Sequence, residues 1–319
     1  MTTMDAPQDL QNAPQPTRPS LPGSRQTSSV SAGQVLRDYL TLTKPYIILL
    51  LLVTTVPAMV LAEDGWPGFG PVLATLVGGM LAAGGAGAVN MYVDRDIDGI
   101  MARTRKRPIP SGRVPARHAL IFGMTMGLGS GPWLWLTVNA ASAILAIGAF
   151  VFYAGIYSVY LKRHTVHNTV VGGIAGALPP LIGWAAITNS ITIEGVLLFA
   201  IVFFWQPPHF WALAIRLEKD YRAAGIPMMP VVLGEHETRR QTVLYAVATV
   251  MVTFIFGAVA ESAWIYFSVA TLSGAAFIGA SWQMYRGRGM EGTASMFRYS
   301  TLYLAALFFA MVADTLLIG

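Results

Sequence analysis

Residues 68–112 read GFGPVLATLVGGMLAAGGAGAVNMYVDRDIDGIMARTRKRPIPSG. The apolar part, 68–92, is long enough to cross a bilayer, whose hydrocarbon core takes about 20 apolar residues in a helix. It runs directly into three aspartates and a dense set of bases, Arg103, Arg105, Lys106 and Arg107. Asn90, Asp94 and Asp98 recur every fourth residue, so on a helix they form one stripe that drifts only ~40° per step. Carboxylate and amide oxygens about a turn apart are hard ligands of the kind that hold Mg²⁺ together with waters and a substrate's phosphates. Guanidinium and ammonium groups beside them suit phosphate oxygens, so the stretch reads as a magnesium–diphosphate site at the end of a membrane helix. A positive loop at a membrane face accounts for the bases alone, but not for the aspartate stripe.

The rest of the chain supports a membrane reading. Its 319 residues are 54% hydrophobic and only 12% charged, and its mean hydropathy is +0.55, too apolar for an ordinary soluble domain of this size. Apolar spans are expected at 45–62, 68–92, 118–137, 141–160, 169–188, 195–214, 241–260, 263–282 and 299–318. The fold class is therefore all-α, with nine transmembrane helices. Residues 1–33, rich in Pro, Gln, Ser and Thr, read as a disordered tail, which leaves 34–319 as the intramembrane domain. The absence of cysteine excludes disulfides and thiolate chemistry.

Lys and Arg number 21. All fall in the tail and in the connections after the second, fourth, sixth and eighth spans, and none in the intervening connections. That asymmetry orients the chain, with the amino terminus and the aspartate loop cytoplasmic and the carboxyl terminus on the outer side. It also assigns the net charge of +5 to topology, so no nucleic-acid partner is implied.

A second polar cluster, WQPPHFWALAIRLEKDYRAAGIPMMPVV at 205–232, closes the sixth span. Like the first, it passes through acid and base into an Ile-Pro break, which suggests a weak internal repeat around a shared cavity. Asp220 is a candidate second metal anchor. His209 is either hydrogen-bonded filler or a substrate contact. Lys162, Arg163 and Asn168 are candidates for the same cytoplasmic rim. Asp314, inside the last span, needs a polar partner or a place near the outer interface.

Three blocks carry a family resemblance: NMYVDRDIDGIMARTRKRPIPSGR at 90–113, YLKRHTVHNTVVGGIAGALPPLIGWAA at 160–186, and FFWQPPHFWALAIRLEKDYRAAGIPMMPVV at 203–232. Together they are similar to the haem-farnesylating branch of the UbiA-type intramembrane prenyltransferases, the protohaem IX farnesyltransferase or haem O synthase family. The resemblance covers about 38–319. It implies a nine-helix fold with Mg²⁺ and farnesyl diphosphate at the cytoplasmic mouth of a cavity, in a bacterial inner membrane. It implies metal ligation by Asn90, Asp94 and Asp98, with Asp94 and Asp98 catalytic, and with Arg103, Lys106, Arg107 and Lys162 on the phosphates. Haem B is then the acceptor substrate, haem O the product, and a haem A synthase the downstream partner. The PPHFW block points to His209 as the haem contact. The family's second pair of aspartates is incomplete, because Arg216 stands four residues before Asp220. On the residues alone, two other readings stay open: a sister prenyltransferase acting on a quinone precursor or chlorophyllide, and a membrane transporter.

Overall fold

A computed structural model describes residues 31–318, and most of the expected tail lies outside the described residues. In chain order the elements are α1 (Ala32–Leu42), α2 (Pro45–Glu63), α3 (Phe69–Val93), α4 (Arg95–Asp98), α5 (Ala116–Thr137) and α6 (Ala140–Val151). A π-helical run (Phe152–Leu161) then leads into α7 (Lys162–His164) and α8 (Asn168–Thr188). The chain continues through α9 (Ile193–Arg216), α10 (Glu218–Ala223), α11 (Met229–Val232), α12 (Gly234–Val259), α13 (Trp264–Arg286) and α14 (Thr293–Leu317). No strand occurs among the described residues. Eight helices among the described residues are long and apolar enough to cross a membrane, so the protein is a multi-pass membrane protein. The first expected span corresponds to α2, helical for 19 residues, some of whose side chains lie outside the described ones.

The expected tail boundary at 33 falls inside α1. Ser31 caps that helix by accepting from the Gln34 amide, and Val35, Leu36 and Leu40 are exposed on it while Leu42 is buried. A short helix with an apolar exposed face suits the membrane surface. It is pinned by Asp38, which accepts from Arg113 at 2.9 Å, and by Tyr39 set edge-on against Phe122 at 5.1 Å.

Lipid is as apolar as the helix surfaces, so the bundle is held by close packing and interhelical hydrogen bonds rather than by a hydrophobic driving force. Glycine makes the tightest contact. A Cβ on Gly85 of α3 would lie 2.4 Å from the Gly127 nitrogen of α5, and one on Gly123 would lie 2.8 Å from the Gly85 oxygen. Gly172 of α8 receives the Tyr157 ring from the π-helical run, and Gly173 and Gly176 receive Gln206 of α9, whose amide donates to the Gly173 carbonyl at 3.1 Å. The carboxyl-terminal half packs α9, α12, α13 and α14 around Trp205, Phe256, Tyr266, Phe277, Tyr303 and Phe308. There Trp205 donates to the Ser300 carbonyl at 2.6 Å, and Thr253 bonds the Tyr303 hydroxyl at 2.5 Å. Asp314 of α14 accepts from the backbone amides of Ala263 and Tyr266. Its charge is therefore used to cap α13, whose first amides lack partners within their own helix.

The two polar segments of the sequence meet. Ile97 and Met101 from the first pack with Tyr221, Ile226 and Met228 from the second. Beneath them α2, α3, α6 and α8 surround a cavity with about 910 Å³ of empty space, its open mouth included.

Candidate active site

The aspartate stripe survives a helix break. α3 ends at Val93, yet the Asp94 amide still bonds the Asn90 carbonyl at 2.9 Å and the Asp98 amide the Asp94 carbonyl at 2.8 Å. The four-residue register continues, and Asn90, Asp94 and Asp98 are all buried, the two aspartates completely.

Each oxygen donor has a cation against it. Lys44 donates to Asn90 Oδ1 at 2.7 Å, Lys162 pairs with Asp94 Oδ2, and Arg107 forks onto both oxygens of Asp98 at 2.9 and 2.7 Å. The Asn90 amide nitrogen donates to Ser158 at 3.0 Å. The π-helical run supplies Ser158 and leads directly into Lys162. Ser158 Oγ donates to the Tyr153 carbonyl five residues back at 2.7 Å, in the wider register that often marks functional sites, and Lys162 follows at the end of the run. Burial, and after it the positive charge of Arg107, push the Lys44 ammonium down to about 8.

The arrangement fits a hard divalent cation. Asp94 Oδ1 is buried with no hydrogen-bond partner, a bare anionic oxygen of the kind a metal fills. The neighbouring donors are two carboxylates and an amide oxygen, the chemistry Mg²⁺ takes.

Of the other expected residues, Arg163 lies beside the cluster. It forks onto Asp96 at 2.8 and 2.7 Å and donates to the Val93 carbonyl at 2.9 Å. That guanidinium holds the Asp96 carboxyl down at about 2. Consecutive bases Lys162 and Arg163 thus grip Asp94 and Asp96. Asn168 is fully buried and donates to the Thr165 and Pro227 carbonyls at 2.7 and 3.1 Å, tying two loops together. Arg103 lies near Tyr221, and Lys106 is exposed. Asp220, half-buried in α10, forms no ion pair among the described residues. His209 sits apart from the carboxylates, at the contact of α9 and α14. Its ring stacks between Trp205 at 4.6 Å and Phe297 at 4.3 Å, and its Nδ1 meets Ser300 Oγ at 2.7 Å.

Three participants escaped the sequence reading. Lys44 reads as a basic flank of the first span, and only its place before Pro45 at the head of that helix sets it apart. Ser158 looks like an interior serine, and Asp96 interrupts the stripe's spacing.

Residues 51–312 match the UbiA prenyltransferase family, and the chain belongs to that family. It is 47% identical over 285 residues to a protoheme IX farnesyltransferase of Chloroflexus aurantiacus, covering 89% of this chain and 49% of that one. The chain thus spans about half the length of that relative. It is 45% identical over 293 residues to a protoheme IX farnesyltransferase of Mycolicibacterium paratuberculosis, covering 91% of this chain and 94% of the other. Among solved structures, a digeranylgeranylglyceryl phosphate synthase matches with a TM-score of 0.72 at 16% identity, over 88% of this chain and 98% of that one. A UbiA homologue from Archaeoglobus fulgidus bound to DMAPP and Mg²⁺ matches at 0.62 and 16% identity, over 86% of this chain and 99% of that one.

Proposed function

We propose that the protein transfers the farnesyl group of farnesyl diphosphate to a vinyl group of haem B, with addition of water, and releases diphosphate and haem O. The observation that carries this is the buried set Asn90, Asp94 and Asp98, faced by Lys44, Lys162 and Arg107, with Lys44 also lining a largely apolar cavity. The name shared by the relatives supports haem as the acceptor.

Asn90, Asp94 and Asp98 are the residues that would hold Mg²⁺, which when bound neutralises charge on the diphosphate. Lys44, Lys162 and Arg107, released from Asn90, Asp94 and Asp98, turn to the phosphate oxygens, with Arg103 and Lys106 at the outer rim. Their fixed positive charge favours the state in which the allylic C–O bond has broken and the diphosphate has taken the electron pair. The vinyl terminus then forms the new carbon–carbon bond. Water adds to the carbon beside the porphyrin, and its proton leaves to solvent. The lining of small apolar residues keeps other water from the allylic cation. Asp220 is the proposed second anchor on the metal–diphosphate side, and His209 the residue proposed to meet haem. The same reading places residues 34–319 as one unit of nine spans in a bacterial inner membrane. The amino terminus is then cytoplasmic, the carboxyl terminus periplasmic, and a haem A synthase takes the product.

The test is turnover by the purified protein with farnesyl diphosphate, haem B and Mg²⁺. Haem O formation, abolished in Asp94→Asn and Asp98→Asn variants that still fold, is the expected result. A preparation that farnesylates a quinone precursor and not haem, or that takes up a prenyl diphosphate without turnover, overturns the assignment.

A further inference from the structure

The cavity among α2, α3, α6 and α8 meets the carboxylate cluster at one end and runs along α3 between small side chains. Lys44 and Tyr153 line it where it meets the carboxylate cluster, and Thr55, Thr75 and Ile182 line it farther from that cluster. Gly87 and Thr75 belong to the same wall, α3, and their separation of 12 residues (87 − 75) corresponds to roughly 18 Å at the helical rise. Between them α3 contributes Gly79, Ala82, Ala83 and Ala86 to the lining, side chains of one carbon or none.

Gly79 differs from the packing glycines of its own helix. A Cβ on Gly78 would strike Leu134 at 2.4 Å and one on Gly85 would strike Gly127 at 2.4 Å, whereas one on Gly79 meets nothing within 4 Å. Glycine inside a helix sacrifices helix stability relative to alanine, and no neighbouring helix requires it at 79. What it preserves is open space in the cavity. One turn farther, Thr75 is 1% exposed and lines the same space, and its hydroxyl has no partner, another local cost. Two residues unfavourable for the helix alone thus stand at the same end of one cavity.

We propose that Gly79 sets the length of prenyl tail the cavity accepts, with Thr75 as the floor against which the distal isoprene unit ends. This rests on the prenyl diphosphate reading of the carboxylate cluster. With the diphosphate anchored between Lys44 and Asn90, the tail extends along α3, and Gly79 lies eight residues (87 − 79) from Gly87, roughly 12 Å along the axis. A branched side chain there closes the bore before the third isoprene unit and leaves the first two untouched.

The experiment compares geranyl, farnesyl and geranylgeranyl diphosphates with wild type, Gly79→Ala, Gly79→Leu and Gly148→Leu, by kcat/KM with haem B and by each donor's thermal stabilisation of the protein. Gly148 is the control. A Cβ there also meets nothing within 4 Å, but Gly148 is exposed and outside the cavity lining. Wild type should favour farnesyl. Gly79→Leu should lose roughly tenfold or more on farnesyl, the scale of a misfit of one or two methylenes, while holding geranyl within about threefold. Gly79→Ala should fall between, and Gly148→Leu should match wild type in both readouts. Should Gly79→Leu fail to fold, the Gly79→Ala ratio decides. An unchanged geranyl-to-farnesyl ratio, or equal loss on both donors, overturns the inference while wild-type farnesyl turnover leaves the proposed function standing. If wild type neither binds nor uses any of the three donors, both readings fail.

Discussion

Lys162→Met isolates the role of charge balance at the carboxylate cluster. Asp94 is fully buried and the Lys162 side chain 14% exposed, so solvent screens the pair only weakly. Removing the ammonium leaves a buried carboxylate with one oxygen that already lacked a partner and a second that has lost its own. Breaking such a pair from one side costs about 3–5 kcal/mol. At about 2–4 °C per kcal/mol for a large domain, the melting temperature should fall by ~6 °C or more in chelator. Mg²⁺ should recover much of this, because a cation on Asp94 replaces the missing charge, and a concentration ~100 times the dissociation constant returns about 2.7 kcal/mol. The assay is thermal unfolding of detergent-solubilised wild type, Lys162→Met and Lys162→Met/Asp94→Asn, each with chelator and over a Mg²⁺ titration. The single variant should gain more from Mg²⁺ than wild type, in which the metal competes with an ammonium, and the double variant should regain stability without it. A Lys162→Met protein as stable as wild type in chelator refutes the reasoning. So does an equal Mg²⁺ gain in all three proteins.

Gly85→Val places methyl groups where the Gly127 backbone already lies 2.4 Å from a single added carbon. The variant should lose on the order of 3 kcal/mol, read as lower yield of monodisperse protein and a lower melting temperature, whereas Gly129→Ala, which meets nothing within 4 Å, should be neutral. The Asp96–Arg163 pair holds Asp96 at about 2 in the folded protein, below an unfolded value of about 3.9. Its contribution is therefore fully present above pH ~4 and fades as pH falls toward 2, so the stability gap between wild type and Asp96→Asn should be constant from pH 8 to 5 and narrow at pH 3. A topology reporter fused after Gly319 should be active on the outer side, and one placed before Ser31 on the cytoplasmic side. Both on one side would remove one of the nine expected spans.

The helical spans were legible because two independent signals coincide, long apolar runs and bases confined to alternate connections. The stripe of Asn90, Asp94 and Asp98 was legible because a four-residue spacing is itself helix geometry, and the backbone keeps that spacing through the break at Asp94. Lys44 was not legible, because it reaches Asn90 across 46 residues of sequence from a left-handed backbone conformation, φ 56°, that nothing in the local sequence announces. α1 was hidden because its eleven residues, though amphipathic, are too few to span a membrane and adjoin a polar tail. The position of His209, stacked in an aromatic contact rather than beside the carboxylates, depends on how α9 is rotated against α14, which neither helix encodes alone.

The π-helical run makes the site sensitive to residue number as well as residue type. Gly155 lies within it, exposed, with nothing within 4 Å of where its side chain would stand. By side-chain contact it is among the most dispensable residues in the chain. Deleting it, however, would change the five-residue register that aims Ser158 and Lys162 relative to α6, parting Asn90 and Asp94 from their partners although no interacting group had been removed. Substitution and deletion at this position therefore differ in kind: the first is invisible to the site, and the second dismantles it.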